Sequence, residues 1–161
     1  MEAPICIGPA TRADAGIICR IIERSIRVGC ALDHRNEVLC VNAWISRQSA
    51  DLISAWLADP HRYLSIASAQ GKPIGVGMAS DNGDILFCYV LPEWFRRGAG
   101  RALMTDMEGW LQIRGSARAH LDSTRTAEAF YRRLGYQASA PQPARRRLKT
   151  LPMYKRLALS G

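Results

Sequence analysis

The sequence lacks the features that mark exported, membrane-spanning and zinc-binding proteins. Its five cysteines form no CxxC pair, and no group of Cys and His residues has the spacing of zinc ligands. The N-terminus, MEAPICIGPATRAD, has no basic segment followed by an apolar stretch, so we predict no signal peptide. No apolar run approaches the ~18 residues that a membrane span requires. We therefore expect a cytoplasmic protein with reduced thiols, no metal and no membrane partner.

Acidic residues are scarce relative to basic ones, with 14 Asp and Glu against 22 Lys and Arg in 161 residues. The resulting net charge of +8 favours an anionic partner, either nucleic acid, an anionic membrane surface or a phosphorylated cofactor. A basic solvated surface would give the same charge. The length suits one domain over residues 1–161, and the sequence contains no internal repeat or linker.

The hydrophobic pattern of the first third predicts one strand and three helices. The strand is centred on residues 5–7, and the pattern Thr11–Asp14 resembles a capping box at the start of a helix. We expect that helix over Ala13–Val28, where Gly29 ends it, and two shorter ones over Glu37–Ile45 and Ala50–Leu57. Trp44 and Trp56 are interpreted as core residues of the two shorter helices.

The remaining sequence predicts three hairpin-linked strands followed by alternating helices and strands. Gly75 and Gly77 lie inside the second of these strands and indicate a bulge or a close backbone approach. The predicted elements are strands Tyr63–Ala69, Ile74–Ala79 and Ile85–Leu91, separated by turns at Gln70–Pro73 and Asp81–Asp84, a helix ending near Ile113, a strand Ala117–Ser123, a helix capped by Thr124, a strand Tyr136–Ala138, a loop Pro141–Thr150 and a strand Met153–Leu157. This order predicts a mixed, mostly antiparallel sheet of six or seven strands with helices on both faces, in the α/β or α+β class.

A glycine-rich turn after the third hairpin strand is the strongest functional signal in the sequence. Pro92 ends the strand, and Arg96-Arg97-Gly98-Ala99-Gly100-Arg101 leads directly into a helix. Backbone N–H groups and the positive end of the helix dipole at such a turn bind phosphate oxygens. A Walker A loop is excluded, since no Gly-Lys-Ser/Thr follows, and Leu103 stands where the dinucleotide fingerprint needs Gly or Ala. We therefore predict a site for the phosphates of a nucleotide-like cofactor.

Two motifs together resemble the GCN5-related N-acetyltransferase (GNAT) superfamily. The first is Val90-Leu91-Pro92 followed by Arg97-Gly98-Ala99-Gly100-Arg101-Ala102, which is similar to the family's Gln/Arg-x-x-Gly-x-Gly/Ala signature after a strand ending in Val-x-Pro. The second is Ala127–Tyr136, which resembles the family's A-x-x-F-Y-x-x-L-G-F/Y segment. The opening Pro9–Asp14 is similar to the family's first strand and helix start. This resemblance covers nearly the whole chain and implies the GNAT, or acyl-CoA N-acyltransferase, fold with acetyl-CoA as co-substrate.

The resemblance also implies roles for individual residues. Tyr131 would be the general acid that protonates the leaving CoA thiolate, with Phe130 better suited to the core. Backbone groups near Tyr89 and Val90 would pair with the pantetheine arm, as an added strand would. The implied pyrophosphate ligands are backbone amides and arginine side chains of Arg96, Arg97, Gly98, Ala99, Gly100, Arg101 and Ala102. Thr124 stands where many members have Asn in contact with the cofactor, and it can still cap the helix.

No motif identifies the general base or the acceptor. His34 is the candidate base, because it is the nearby group whose ordinary pKa lies close to neutral, and Asp33 and Glu37 in the same segment would suit a cationic amine. Cys88 is interpreted as a packing residue rather than a nucleophile. The run Arg145–Lys149 is too short and too poor in aromatic residues to argue for nucleic acid, and a solvated loop or a clamp on the 3′-phosphate accounts for it equally well.

The sequence thus predicts an N-acetyltransferase that moves an acetyl group directly from acetyl-CoA to a primary amine of a small molecule or peptide. The alternatives are a non-catalytic CoA-binding regulatory module of the same fold and a basic nucleic-acid binder. The intact turn and the intact Tyr131 disfavour the non-catalytic module. A homodimer is a further expectation, since homodimers are common in the family that the sequence resembles.

Overall fold

The computed structural model describes residues 4–25, 27, 50–124, 127–139 and 151–157. Its strands are β1 (Ile5–Pro9), β2 (Arg62–Ala69), β3 (Lys72–Ser80), β4 (Asp84–Val90), β5 (Arg118–Ser123), β6 (Gln137–Ala138) and β7 (Leu151–Arg156). Its α-helices, numbered within the described residues, are α1 (Ala15–Arg24), α2 (Ala50–Ala58), α3 (Ala99–Ile113) and α4 (Glu128–Arg133). Short 3₁₀ turns at Arg12–Asp14 and Pro92–Trp94 precede α1 and follow β4.

The strands form one seven-stranded sheet in the order β1-β2-β3-β4-β5-β7-β6. Neighbouring strands are antiparallel except β4 and β5, which run parallel. Two hydrophobic clusters lie on opposite faces of the sheet: one combines α1 and α2 with β2–β4, and the other combines α3 with β3, β4, β5 and β7. The predicted class, a mixed and mostly antiparallel sheet with helices on both faces, is confirmed.

Helix α3 approaches β3 closely, as the two glycines of that strand suggested. A Cβ atom on Gly77 would lie 2.5 Å from the Met107 Cε atom, and one on Gly75 would lie 3.1 Å from the Leu103 Cδ1 atom. Met107 and Leu103 are fully buried residues of α3. The absence of a side chain at these two positions of β3 therefore sets the distance between the sheet and the helix that follows the glycine-rich turn.

Several predicted boundaries are corrected by the structure. Helix α1 begins at Ala15, because residues 12–14 form a 3₁₀ turn in which the Asp14 carboxylate accepts the Thr11 N–H at 2.8 Å. The β2–β3 turn contains Gln70 and Gly71 alone, with φ of 54° and 75°, which is the geometry of a two-residue type I′ hairpin. Smaller corrections apply to β4, which ends at Val90, to β5 and β6, which begin at Arg118 and Gln137, to α4, which spans six residues, and to β7, which spans Leu151–Arg156.

Some predictions lie outside the described residues. They concern the end of the first helix at Val28 and Gly29, the helix Glu37–Ile45 with Trp44, and the loop Pro141–Thr150. Trp56 of α2 is half-buried and packs against the cluster that contains α1, so its predicted core position is confirmed. None of the helices in the described part of the chain has the length and apolarity that a membrane span needs.

Candidate active site

The sheet opens between β4 and β5. In the described strands these two share one paired position, Asp84 opposite His120, which is reinforced by the His120 N–H donating to the Gly83 carbonyl at 2.8 Å. Beyond Asp84, the described part of β5 forms no further strand pair with β4, whereas β3 pairs with Ile85 and with Phe87–Val90, and a bulge leaves Leu86 out of the register. The main chain at the C-terminal end of β4 therefore has an open edge, which can hydrogen-bond an extended ligand as a further strand would.

The register of β3 and β4 fixes which main-chain groups face this gap. The Leu91 N–H donates to the Ile74 carbonyl at 2.8 Å, and Val90 lies opposite Gly75. Because hydrogen-bonded and non-hydrogen-bonded pairs alternate in an antiparallel ladder, the N–H and C=O groups of Val90 point away from β3 and into the gap. The main chain of Tyr89 points to β3 instead. Of the two residues predicted to pair with a ligand, Val90 has the suitable orientation.

The glycine-rich turn connects this edge to the N-terminus of α3. Arg96 and Gly98 both have left-handed backbone, with φ of 62° and 91°, and α3 begins at Ala99. The amides of residues 99–101 belong to the first helical turn, where no intrahelical acceptor exists for them. The Ala102 N–H already donates to the Gly98 carbonyl at 3.0 Å. The donors that remain for an anion are the amides of residues 98–101. Ala102 is therefore removed from the predicted pyrophosphate ligands.

The glycines of the turn have different structural reasons. A Cβ atom on Gly98 would meet no other atom within 4 Å, so its left-handed φ is the constraint there. A Cβ atom on Gly100 would lie 3.0 Å from the Phe130 Cζ atom, so this position is limited by packing against α4. The glycine-rich turn and the Phe-Tyr segment, which lie far apart in the sequence, are thus in direct contact.

The charge around the turn is positive. Arg96, Arg97 and Arg101 have exposed side chains, and the Arg97 guanidinium lies 5.1 Å from the centroid of the Trp94 ring. The neighbouring carboxylate, Glu93, is exposed, and it forms an ion pair with Arg24 of α1. The three arginines and the helix dipole therefore produce a potential that favours a polyanion at the N-terminus of α3.

Tyr131 is more deeply placed than the sequence indicated. Its side chain is 7% exposed, whereas Phe130 is half-buried and packs against the same cluster, so the expectation that Phe130 suits the core better than Tyr131 is wrong. The Tyr131 ring makes edge contacts with Phe130 and Tyr136, at centroid distances of 5.1 Å and 5.9 Å. Since Phe130 packs against Gly100, α4, which carries Tyr131, lies against the first turn of α3.

A polar network that the sequence did not reveal supports this aromatic cluster. The Tyr136 hydroxyl donates to Glu108 Oε2 at 2.8 Å, and Lys155 Nζ contacts Glu108 Oε1 at 2.8 Å. Burial, followed by the Glu108 carboxylate, raises the pKa of the Tyr136 hydroxyl far above its ordinary value, and Tyr131 and Cys88 contribute to the same direction. Tyr136 is therefore a structural phenol that stays protonated and orients the Tyr131 ring.

Cys88 lies between this cluster and the turn. Its Sγ atom is 3.9 Å from the Gly100 carbonyl oxygen, and burial raises the pKa of the thiol from 9.0 to about 12. A thiol with so high a pKa carries very little thiolate at neutral pH, which is the form a nucleophile needs. This agrees with the interpretation of Cys88 as a packing residue.

Of the other candidate residues, Thr124 belongs to the described part of the chain, and several others do not. The Thr124 Oγ1 atom accepts the Ala127 N–H at 3.3 Å, but α4 begins at Glu128 with Ala127 as its N-cap and without a side-chain cap, so the predicted cap by Thr124 is wrong. His34, Asp33, Glu37 and the run Arg145–Lys149 lie outside the described residues. Cys6 and Cys88 are free thiols, and no group of three or more His, Cys, Asp or Glu within the described ranges has the arrangement of a metal site.

Sequence reasoning also missed a contact at the end of β4. The hydroxyl of Ser25, which follows α1, donates to the Val90 carbonyl at 3.2 Å. These residues are separated by 65 positions, and neither belongs to a recognisable motif with the other. No local pattern could have shown this contact, because it depends on how α1 packs across the sheet.

Comparisons with known proteins identify the class to which this fold and site belong. The sequence model described as "Acetyltransferase (GNAT) domain" matches residues 30–157, so the chain belongs to the GNAT acetyltransferase family, whose activity is acetyl transfer from an acyl-CoA. The predicted resemblance is thereby confirmed. Among curated proteins, none matches the sequence significantly.

Solved structures share the fold at low sequence identity. A GCN5-related N-acetyltransferase from Rhodopseudomonas palustris has a TM-score of 0.85 and 24% identity, covering 98% of this chain and 99% of that one. The PaiA N-acetyltransferase from Thermoplasma acidophilum, solved in complex with coenzyme A, has a TM-score of 0.79 and 16% identity, covering 95% of this chain and 99% of that one. The ribosomal-protein-S18-alanine N-acetyltransferase from Escherichia coli has a TM-score of 0.65 and 18% identity, covering 98% of this chain and 97% of that one.

Proposed function

We propose that this protein transfers an acetyl group from acetyl-CoA directly to a primary amine of a small molecule or peptide. The observation that carries the proposal is the open edge of β4 at Val90, which adjoins the helix N-terminus with its uncommitted amides and three arginines. An open strand edge suits an extended amide-containing arm, and the helix N-terminus suits a pyrophosphate. Acetyl-CoA, when bound, supplies an acetyl group activated as a thioester.

The residues of the chain have distinct tasks in this proposal. The amides of residues 98–101, with Arg96, Arg97 and Arg101, hold the pyrophosphate, and the Val90 N–H donates to the thioester carbonyl oxygen as negative charge develops on it. The amine nitrogen forms a bond to the acetyl carbon while the carbon–sulfur bond breaks. Tyr131 gives its hydroxyl proton to the departing sulfur, and the amine loses its proton to a base, for which His34 remains our candidate.

The proposal is tested by measuring thiol release from acetyl-CoA in the presence of a panel of amines. For Tyr131→Phe we expect turnover to fall about 100-fold or more, because a positioned acid contributes at least that much, while acetyl-CoA affinity is almost unchanged. Tyr154→Phe is the matched control, since this phenol lies on β7, where it packs against Arg118 and His120. Equal turnover in the wild type and Tyr131→Phe would contradict the role of Tyr131.

A non-catalytic CoA-binding module of the same fold makes a different prediction in the same assay. It would bind acetyl-CoA in calorimetry and release no thiol with any amine. Gly100→Glu serves both experiments as a binding-defective control, because its side chain would collide with Phe130 and place a negative charge at the phosphate site. The cytoplasmic location, the homodimer and the lack of nucleic-acid binding remain predictions.

A further inference from the structure

The end of β4 is held from three directions by groups outside the phosphate-binding turn. The Leu91 N–H donates to Ile74 of β3 at 2.8 Å, and the Val90 carbonyl accepts the Ser25 hydroxyl at 3.2 Å. Beyond Pro92, the Glu93 carboxylate pairs with Arg24. Two successive residues at the end of α1, Arg24 and Ser25, therefore contact the chain on both sides of the Leu91-Pro92 step.

Ser25 is placed for this contact by its position directly after α1. It has helical backbone angles, with φ of −63° and ψ of −40°, and its N–H donates to the carbonyls of Ile21 and Ile22. Ser25 is 3% exposed, so its hydroxyl is a buried polar group that needs a partner, and the partner it has is a carbonyl at the open edge of the sheet.

Within the part of the chain that the structure describes, the Ser25 hydroxyl is the partner of the Val90 carbonyl. Its direction is toward β5, and β5 has already diverged from β4 there. A carbonyl oxygen has two lone pairs, so the Ser25 contact leaves one of them for a ligand. The hydroxyl holds the peptide plane that follows Val90, and with it the Cα position from which the Val90 N–H faces the same gap.

We propose that Ser25 is a positioning residue for the acyl donor: its hydroxyl holds Val90 so that both main-chain groups of that residue face the ligand. This inference rests on the proposed function, since it takes the Val90 edge as the donor site. It also assigns a part in donor binding to the end of α1, which carries none of the recognised motifs.

The test is calorimetric titration of acetyl-CoA with the wild type and with Ser25→Ala, accompanied by steady-state kinetics. Loss of one hydrogen bond that orients a binding group predicts an affinity about three- to tenfold weaker. We expect KM for acetyl-CoA to rise by a similar factor, with a smaller change in kcat at saturation. Ser25→Thr, which retains a hydroxyl, should restore most of the affinity.

Ser65→Ala is the matched control for lost stability. Ser65 is also a fully buried serine, and its hydroxyl donates to a carboxylate, Asp106 Oδ2, at 2.7 Å, on the part of the sheet covered by α3. We expect this variant to lose stability and to keep the wild-type affinity for acetyl-CoA. If Ser25→Ala does not fold, Ser25→Cys decides the question, because it keeps the volume and replaces the hydroxyl by a much weaker donor.

The outcomes distinguish a failure of the positioning role of Ser25 from a failure of the proposed function. A wild type that binds no acetyl-CoA overturns the proposed function and the inference with it. A wild type that binds, together with a Ser25→Ala or Ser25→Cys variant of equal affinity and KM, overturns the inference alone. Weaker binding in Ser65→Ala by the same factor as in Ser25→Ala would also overturn it, since general destabilisation would then explain both.

Discussion

Cys88 shows at the scale of single residues how burial controls chemistry near the proposed site. Desolvation raises the pKa of its thiol from 9.0 to about 12, which strongly lowers the thiolate fraction at pH 8. Cys6, in contrast, lies exposed on β1. The desolvated Cys88 can lie beside a thioester without attacking it, which suits a direct transfer that forms no acyl-cysteine.

We predict that iodoacetamide at pH 8 labels Cys6 in the native protein and leaves Cys88 essentially unmodified. The reason is that the thiolate is the reactive form and burial keeps Cys88 protonated. Peptide mass spectrometry after short exposure measures the two rates separately. In the denatured protein both residues should react alike, and labelling of native Cys88 at the rate of Cys6 would contradict the prediction.

Arg96 is a second residue of interest at this scale, because its backbone has a conformation that arginine rarely adopts. A left-handed φ of 62° is uncommon for a residue with a side chain, and it costs free energy unless the surrounding structure compensates. Here it lies two residues before Gly98, which also has a positive φ. Left-handed residues in such turns form concave backbone nests that bind anions, so the strain is located where anion binding would benefit from it.

At the scale of elements, the contact of α3 with β3 determines where the phosphate donors lie. Glycine at position 77 allows the Met107 side chain to reach the strand, and α3 is anchored there by buried residues along its length. Any group that lifts α3 from the sheet also displaces its N-terminus. Fold stability and donor binding are therefore coupled through this helix.

We predict that Gly77→Val destabilises the protein by about 1–3 kcal/mol, because its side chain overpacks the contact with Met107. Met107→Ala alone should cost about 2–5 kcal/mol by leaving a cavity. The double variant should cost less than the sum of the two, since each change relieves the defect of the other. Urea denaturation of the four proteins measures the coupling.

Gly109→Ala is a matched control in the same helix. A Cβ atom at this position would meet nothing within 4 Å, so alanine should stabilise the protein by about 0.5–1 kcal/mol through its higher helix propensity. Strict additivity of Gly77→Val and Met107→Ala would contradict the close approach that the structure shows.

At the scale of the whole molecule, the sheet consists of two parts that the strand pairing joins weakly. Strands β1–β4 and strands β5–β7 share the single described pair Asp84–His120. The hydrophobic cluster under α3 nevertheless includes residues of both parts, among them Ile85 of β4 and Leu121 and Met153 of β5 and β7. The gap that would admit the ligand is thus bridged from below by a continuous core.

We predict from this shared core that the two parts unfold together in one transition. Far-ultraviolet circular dichroism and tryptophan fluorescence should give coincident urea curves, as two-state unfolding requires. Acetyl-CoA at about 100 times its Kd should add about 2.7 kcal/mol to the free energy of unfolding if it binds the native state alone. Separate midpoints for the two signals would show that the parts are independent.

The sequence by itself determined the elements and the class of this protein. Local patterns predicted the hairpin-linked strands, the glycine-rich turn before α3 and the segment around Tyr131, because helix periodicity, turn residues and motifs depend on neighbours in the chain. The predicted family follows from the same motifs and was confirmed. Errors fell at boundaries such as the start of α1 and the β2–β3 turn, where a side-chain cap and a two-residue turn decided the outcome.

The tertiary structure alone decided which atoms face one another. It oriented Val90 rather than Tyr89 into the gap, buried Tyr131 more deeply than Phe130, and brought Ser25 to a carbonyl 65 residues away. Strand register, packing depth and long-range hydrogen bonds depend on how distant segments meet, and no spacing of residues along the chain records that.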